Sequence, residues 1–201
     1  MGLKDIFKQN LSKEAYYSMS ECEDVVIYFP KQQKDYDDNE LLGIHLAIDY
    51  AIKTLNVDYA KIICFGNNLY GKEINNIWEL YPDIKIDVVV CSADTEIINE
   101  NDRKILKQKI ELAKRQEKTS VYEASSPPTL RSCILYRNNT PVLCCVQYYV
   151  MSVTENRRPS FTGRGTPCII ACHNGKDFPI KQYIEFCEME FNRLKSDDWS
   201  I

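Results

Sequence analysis

Long apolar runs are missing from this 201-residue sequence, and so are the signals that direct a chain to a membrane. The first residues, MGLKDIFKQNLSKE, contain no apolar signal core, and no apolar run is long enough to span a bilayer. Gly2 is followed at position 6 by isoleucine, where N-myristoylation requires serine or threonine. The formal net charge of −4 argues against a general nucleic-acid binder. We therefore expect a cytoplasmic protein with no membrane or nucleic-acid partner.

Histidine is also scarce, since only His45 and His173 are present, and the familiar catalytic motifs are absent. The HExxH, GxSxG and protein-kinase signatures do not occur. His45 falls beside the apolar stripe of a predicted helix, which favours a structural role. His173 and Asp177 are the candidates for a catalytic acid–base pair. A strand-end turn built on Asn174 and Gly175 explains the same residues more simply, because no nucleophile is identifiable beside them.

Cysteine, by contrast, is plentiful, with nine residues. Most of them lie inside apolar runs such as VLCCVQ and PCIIAC, where a free thiol behaves as a small buried hydrophobe. The odd number argues against a complete disulfide framework and favours reduced thiols in a reducing compartment. The spacing of Cys168 and Cys172 places both on one face of a strand, with His173 on the opposite face, so no zinc-ligand set is complete. We predict neither a metal site nor a cofactor.

The order of apolar segments predicts the fold class. In chain order, the predicted elements are a strand at 24–30, a helix at 40–56, a strand at 60–66, a helix at 71–81, a strand at 85–92, a helix at 96–117, strands at 119–125, 131–137, 141–151 and 167–174, and a helix from Ile180 to Leu194. Three strand–helix units in succession, with strands that are apolar on both faces, predict parallel strands covered on both sides. A later hairpin extends them into a mixed sheet. The predicted class is α/β: a three-layer α/β/α fold of βαβαβα units followed by a β-hairpin, a strand and a C-terminal helix.

The N-terminal residues differ in character from the rest of the chain. Residues 1–20 are typical of a weak amphipathic helix, with Ile6, Phe7 and Leu11 on one side. We interpret them as a helical appendage to a single domain formed by residues 21–201, since the length of the chain suits one domain.

Local sequence signals support three of the later elements. Asn138 and Asn139 predict a hairpin turn, because asparagine tolerates left-handed backbone angles. The long charged helix has Ile98, Ile105 and Leu112 spaced by sevens. The C-terminal helix has the clearest apolar stripe, formed by Ile180, Tyr183, Ile184, Cys187, Phe191 and Leu194.

The stretch RRPSFTGRGTP, residues 157–167, is the main candidate for ligand binding. We predict it to be a loop between two late strands. Its arginines, Arg157, Arg158 and Arg164, offer bidentate donors for phosphate or carboxylate, and Gly163 and Gly165 would let backbone amides approach an anion. The alternative is a basic turn with exposed arginines. A Walker-type phosphate loop is excluded, because the lysine and the following helix are both absent.

The stretch PPTLRSCILYRNNTPVLCCVQYY resembles the strand pair of the phospholipase D-like superfamily, in which a strand with the spacing H-x-K-x4-D leads through a tight turn into a second strand. Residues 24–195 as a whole are similar to regulatory domains of this shape in bacterial transcription regulators. The resemblance implies a shared fold. With the turns aligned, the catalytic positions are occupied by Leu130, Ser132 and Arg137, so the resemblance does not imply phosphodiester cleavage.

The resemblance to non-catalytic relatives implies a sensor or effector module that binds a small anionic, phosphate-bearing ligand or a partner chain. Arg131, Tyr149 and Arg164 are the predicted binding surface, with Arg157 and Arg158 at its rim. A homodimer is expected, with the tyrosine-rich strand as its interface anchor. Two alternatives stay open: a divergent hydrolase or transferase acting on a nucleotide or phosphoester, and a structural subunit of a larger complex.

Overall fold

The computed structural model describes residues 2–11, 16–18, 25–29, 43–64, 81–91, 100–126, 128–148, 150–153, 159–162, 167–172 and 180–196. The helices in these ranges are α1 (Leu3–Asn10), α2 (Gly43–Leu55), α3 (Glu100–Lys114) and α4 (Ile180–Ser196). The strands are β1 (Tyr16–Ser18), β2 (Val25–Tyr28), β3 (Tyr59–Cys64), β4 (Lys85–Cys91), β5 (Thr119–Ala124), β6 (Leu130–Arg137), β7 (Thr140–Tyr148), β8 (Val150–Val153), β9 (Pro159–Thr162) and β10 (Cys168–Cys172). The helix predicted at 71–81 lies outside the described residues, except for Tyr81, which is not helical. No helix in the described ranges is long and apolar enough to cross a membrane.

Eight strands form one mixed sheet in the order β1-β2-β10-β7-β6-β3-β4-β5. Within it, β3, β4 and β5 are parallel neighbours, and the other adjacent pairs are antiparallel. The central strands consist mainly of valine, isoleucine, leucine and cysteine, which suit a pleated surface buried on both sides. The predicted α/β class with a mixed sheet is confirmed.

The location of β2 differs from the expectation of three parallel strand–helix units. β2 pairs with β10 and is separated from β3 by β10, β7 and β6. The hairpin β6–β7 therefore lies in the middle of the sheet and does not extend one of its edges. The reason is that apolar side chains on both faces of a strand predict that it is buried, but they do not determine which strand lies beside it.

Helices cover both faces of the sheet. On one face, α1, α2 and α3 pack with the sheet into a cluster that includes Phe7, Ile48, Leu106 and Leu135. On the other face, α4 contributes Ile184, Cys187, Phe191 and Leu194 to a second cluster. We call these the α1–α3 face and the α4 face. Alternate residues of β6 point to the two faces, since Cys133 and Leu135 belong to the first cluster and Ile134 and Tyr136 to the second.

The hairpin turn has the geometry that its sequence predicts. Asn138 and Asn139 have φ angles of 50° and 63°. Arg137 and Thr140 are register partners on either side of this two-residue turn. Two successive left-handed residues match the right-handed twist of the flanking strands, and asparagine adopts this conformation at low cost. The predicted hairpin is confirmed.

The N-terminal segment contains a helix and a short strand. The helix ends at Asn10, and Tyr16–Ser18 form β1, which pairs with β2. The prediction of a helix over residues 1–20 is therefore wrong at Tyr16–Ser18, where pairing with β2 outweighs the weak helical pattern. Leu3 and Phe7 have no exposed surface and belong to the α1–α3 cluster. α1 is thus packed into the main core.

The buried side of α3 does not include Leu112, the last of the three residues spaced by sevens. Leu106, Ile110 and Ala113 are buried against the sheet, whereas Leu112 is 49% exposed. The side chains of Ile98 and Ile105 lie outside the description. A spacing of seven residues identifies a line along a helix, but it does not say whether that line faces the core.

Candidate functional site

The strand ends form two opposite rims of the sheet, and the parallel strands all end at the same rim. β3, β4 and β5 end there at Cys64, Cys91 and Ala124. The antiparallel pairings place the start of β6 and β10 and the end of β7 at the same edge. We call this the carboxyl edge. In open α/β sheets, ligands bind outside the carboxyl ends of the parallel strands.

Arg131 is the predicted site residue that the structure places at the carboxyl edge. It lies in β6 opposite Gln147 of β7, and Gln147 lies opposite Cys168 of β10. Cys64 is the next residue of β3 after the register pair Ile63–Ser132, so it lies beside Arg131 on the other side. Residues that oppose each other in a sheet point to the same face. Arg131 and Gln147 are therefore a polar pair on the α1–α3 face, with Cys64 on one side and Cys168 on the other.

Arg131 is half-buried and its Nε atom is buried, while Gln147 is 4% exposed. A guanidinium in this position provides a fixed charge with planar donors, and the neighbouring amide provides both a donor and an acceptor. Together they are suited to orient a planar or tetrahedral anion. Sequence reasoning missed Gln147, although a glutamine inside the apolar run VLCCVQYY is a visible signal.

Three thiols surround the guanidinium without contributing a negative charge. Burial raises the pKa of Cys133 and of Cys168 to about 12, although Arg131 lowers both values. Burial also raises the pKa of Cys64, against the same opposing effect of Arg131. These thiols are therefore protonated at neutral pH. None of these three thiols therefore neutralises the charge of Arg131.

The predicted ligand loop attaches to the carboxyl edge. β7 ends at Tyr148 and Pro167 leads into β10, so residues 149–166 leave and rejoin the sheet beside Arg131. PSFT, residues 159–162, was predicted as loop but forms β9, which pairs with β8 in a separate two-stranded sheet. Pairing with β8 over four residues stabilises this strand, although its composition is typical of a turn. The remaining predicted residues, Tyr149, Arg157, Arg158, Gly163, Arg164 and Gly165, lie outside the described residues.

The candidate acid–base pair belongs to another part of the chain. β10 begins at the carboxyl edge with Cys168 and ends at Cys172, at the opposite edge of the sheet. His173 follows Cys172 directly. His173 and Asp177 themselves lie outside the described residues.

A clamp of charged and hydroxyl groups joins α4 to the segment that precedes Arg131. Glu190 Oε1 accepts hydrogen bonds from the Thr129 backbone N–H at 3.3 Å and from the Thr129 hydroxyl at 3.1 Å. Arg193 donates to both carboxylate oxygens of Glu190, through Nε at 2.7 Å and Nη2 at 2.9 Å. It also donates from Nη1 to Ser126 Oγ at 3.3 Å. We call these four residues the α4 clamp.

The α4 clamp fixes the start of β6. Thr129 is two residues before Arg131, so the carboxylate that holds Thr129 also positions the backbone that carries the guanidinium. The hydrogen bonds from Arg193 lower the pKa of Glu190, against the opposing effect of burial. The carboxylate is therefore ionised well below neutral pH. Sequence reasoning missed this clamp, and the three-residue spacing of Glu190 and Arg193 was its visible signal.

A second polar network lies on the α4 face, away from the carboxyl edge. Tyr136 donates to Glu188 Oε1 at 2.7 Å, and Lys61 Nζ lies 3.2 Å from the same oxygen. Tyr59 donates to Asp87 Oδ2 at 2.9 Å, and Asp87 is the register partner of Lys61. Burial, followed by the hydrogen bond to a carboxylate, raises the pKa of each tyrosine, so both hydroxyls remain donors. The contacts of Glu188 hold α4 on the sheet, and the Tyr59–Asp87 hydrogen bond joins β3 to β4.

The described cysteines lie in the core. There are eight of them, and all eight are buried and form no disulfide. This confirms the prediction for those eight, and Cys22 lies outside the described residues. Cys168 and Cys172 point to the same face, as their spacing predicts. Within the described parts of the chain, no group of three or more histidine, cysteine, aspartate or glutamate side chains is arranged to hold a metal ion.

Leu130, Ser132 and Arg137 are the three positions that the predicted resemblance aligns with the phospholipase D motif. Leu130 has no exposed surface, and Ser132 is 1% exposed within the sheet. Arg137 is exposed at the hairpin turn, at the far end of β6 from Leu130. These residues neither offer a histidine nucleophile nor surround an open site.

No protein-family model matches this chain, and no curated protein matches it.

Proposed function

We propose that this protein is a non-catalytic sensor or effector module that binds a small phosphate-bearing anion at the carboxyl edge, with Arg131 as the anchor. The observation that carries the proposal is the position of Arg131. Arg131 lies in a central strand of the sheet, beside Gln147. It is near the end of that strand, at the carboxyl edge, where residues 149–166 leave and rejoin the sheet. Buried guanidinium groups favour anions that accept two parallel hydrogen bonds, and phosphate is the commonest biological one.

The composition of the attached segment supports the same ligand class. Arg164 is four residues before Cys168, whose register partner Gln147 is paired with Arg131. Arg157 and Arg158 immediately precede β9. Several more arginines are therefore close in sequence to residues that lie at the carboxyl edge. A phosphorylated metabolite or a nucleotide satisfies such a set of donors.

The resemblance to regulatory domains with a phospholipase D-like fold supports a binding role over catalysis. In this proposal the protein keeps the sheet of that superfamily, while Leu130, Ser132 and Arg137 replace its catalytic histidine, lysine and aspartate. The module would act in the cytoplasm, as such domains of bacterial regulators do. Fold-level resemblance supports no particular ligand, so the ligand must come from the site itself.

Differential scanning fluorimetry followed by isothermal titration calorimetry tests the proposal. The ligands are inorganic phosphate, nucleoside mono- and triphosphates and sugar phosphates, each compared with its unphosphorylated counterpart. We expect one phosphorylated compound to bind, and Arg131→Lys or Arg164→Ala to weaken it at least about tenfold, since a lost bidentate contact to a charged group costs about 1.5–3 kcal/mol. Arg131→Lys preserves the charge and limits damage to the fold.

Arg137→Ala is the matched control, because Arg137 lies in the same strand but is exposed at the opposite end. Its affinity should equal that of the wild type. Equal affinity in the Arg131→Lys and Arg164→Ala variants would refute the assigned site. Turnover of any phosphorylated compound that disappears in His173→Ala would favour the enzyme alternative.

A further inference from the structure

The α4 clamp has the donor set of an anion-binding site, and a side chain of the protein itself occupies it. The carboxylate of Glu190 accepts from the backbone N–H and the hydroxyl of Thr129, and from Nε and Nη2 of Arg193. A main-chain amide, a hydroxyl and an arginine fork are the groups with which proteins bind phosphate and carboxylate ligands. Glu190 therefore takes the position of an anionic ligand.

The donors of the α4 clamp lie at the surface of the protein. Thr129 precedes β6 and is exposed, and Arg193 on α4 is exposed as well. Glu190, between them, is 8% exposed. An anion from solvent therefore meets Thr129 and Arg193 without entering the core, and the carboxylate of Glu190 is the group that it must displace.

The arrangement around Arg193 suits phosphate better than carboxylate. Both oxygens of Glu190 are already engaged by Thr129 and Arg193, yet Arg193 also donates from Nη1 to Ser126 Oγ at 3.3 Å. A phosphate group has more acceptor oxygens than a carboxylate and carries more negative charge at neutral pH. A phosphate in the place of Glu190 can therefore accept from Nη1 of Arg193 in addition to the donors that Glu190 uses.

We propose that the α4 clamp is a phosphate-binding site that Glu190 fills when no ligand is bound, so that an external phosphate group competes with Glu190 for Thr129 and Arg193. On binding, the carboxylate of Glu190 leaves these donors and turns to solvent, and α4 loses its direct attachment to Thr129. The α4 clamp lies on the α4 face, whereas Arg131 points to the α1–α3 face. This site is therefore independent of the proposed function at Arg131.

The competition between Glu190 and an external phosphate determines the affinity. Hydrogen bonds from Arg193 lower the pKa of Glu190, so at neutral pH the internal competitor is an ionised carboxylate. It is also attached to the chain, which gives it a high effective concentration at the donors. We therefore expect the wild-type protein to bind phosphate weakly. Removal of the carboxylate should reveal the full affinity of Thr129 and Arg193 for phosphate.

Isothermal titration calorimetry of the full chain with inorganic phosphate, at constant ionic strength, tests the proposal. Glu190→Ala should lower the dissociation constant at least about tenfold, because the tethered competitor is gone. Glu185→Ala is the matched control, since it removes a 58% exposed carboxylate from the same helix. It should bind phosphate as the wild type does. Glu190→Gln keeps the size of the side chain and should also bind more tightly than the wild type, which decides the question if Glu190→Ala does not fold.

Second substitutions assign the bound phosphate to its donors. Arg193→Ala, added to Glu190→Ala, should abolish the gain in affinity. Equal phosphate affinity in the wild type and in both Glu190 variants overturns the proposal, and so does a gain that survives Arg193→Ala. A gain that is lost on adding Arg131→Lys, but not on adding Arg193→Ala, also overturns it, because the phosphate then binds at Arg131. Failure at the α4 clamp is thus distinguished from failure of the proposed function.

Discussion

At the scale of single residues, Glu190 combines a structural and a positioning role. It is 8% exposed, yet its carboxylate accepts from Thr129 and Arg193 through four hydrogen bonds. A buried carboxylate without such donors would be strongly destabilising. The α4 clamp thus satisfies the charge and ties the C-terminal helix to the residues that precede Arg131.

We predict that Glu190→Gln lowers the free energy of unfolding by about 1–2 kcal/mol at pH 7, discounted because Arg193 is partly exposed. The folded-state pKa of Glu190 lies below its unfolded value of about 4.3. The stabilisation by ionised Glu190 is therefore fully present above pH 4.3 and is lost as the pH falls through the folded-state pKa. Urea unfolding from pH 7 downwards should show the wild type and the variant converging at acidic pH.

Glu111→Gln provides the comparison, since Glu111 is an exposed glutamate that forms only a 3.8 Å ion pair with Lys114. Its unfolding free energy should stay within about 0.5 kcal/mol of the wild type. A difference between Glu190→Gln and wild type that is constant across this pH range would contradict the assigned role of the carboxylate.

At the scale of elements, the hairpin β6–β7 is both the best predicted unit and the most consequential. Its turn residues were predicted from asparagine alone, and both adopt left-handed angles. The hairpin occupies the middle of the sheet, where β6 pairs with β3 and β7 pairs with β10. The turn thereby sets the register on which both halves of the sheet depend.

We predict that Asn139→Val destabilises the fold by about 1–2 kcal/mol, because a β-branched residue resists a φ of 63°. Asn139→Gly should be neutral or slightly stabilising, since glycine adopts this angle freely. Thr140→Val, one residue later in β7, is the control and should change stability by less than about 0.5 kcal/mol. Thermal unfolding measures all three. Equal losses in the two valine variants would mean that backbone conformation is not the cause.

Elements with their own periodicity were predictable, and elements that depend on a partner were not. α4 and the central strands follow from spacing that any single segment displays. β1 and β9 are only three and four residues long and form through pairing with β2 and β8. The buried face of α3 likewise depends on which stripe meets the sheet. In each case the missing information lies outside the segment itself.

At the scale of the whole molecule, α1 is part of the main core. Phe7 is fully buried, and its ring lies 6.2 Å from that of Tyr28 in an edge-on arrangement. The same cluster contains residues of α2, α3 and the sheet. Loss of α1 would open this cluster to water.

We predict that Phe7→Ala lowers the free energy of unfolding by about 3–5 kcal/mol, the cost of removing a fully buried aromatic ring. Lys8→Ala, at the exposed neighbouring position, should cost less than about 0.5 kcal/mol. Urea unfolding followed by both circular dichroism and fluorescence should show one shifted transition in Phe7→Ala. An unchanged main transition would indicate that residues 1–20 are an independent appendage.

The candidate site was only partly accessible from the sequence. Arg131 was predicted as part of the binding surface of a sensor or effector module, the role that the resemblance to regulatory domains implies. Its pairing with Gln147 depends on hairpin register, and its position beside β3 depends on strand order, neither of which is encoded locally. The α4 clamp joins residues about 60 positions apart, which no local pattern connects.

The pairing of β2 with β10 also has a consequence for biosynthesis. β2 precedes most of the described strands in the chain, but its neighbour towards the sheet centre, β10, is the last of them. A nascent chain therefore carries VVIY with one unpaired edge until residues 168–172 have been translated. The pairing of β2 with β10 is a late, long-range event. It slows folding, and it leaves an aggregation-prone strand exposed until it occurs. Chains truncated before β10 should be the ones that depend most on chaperones.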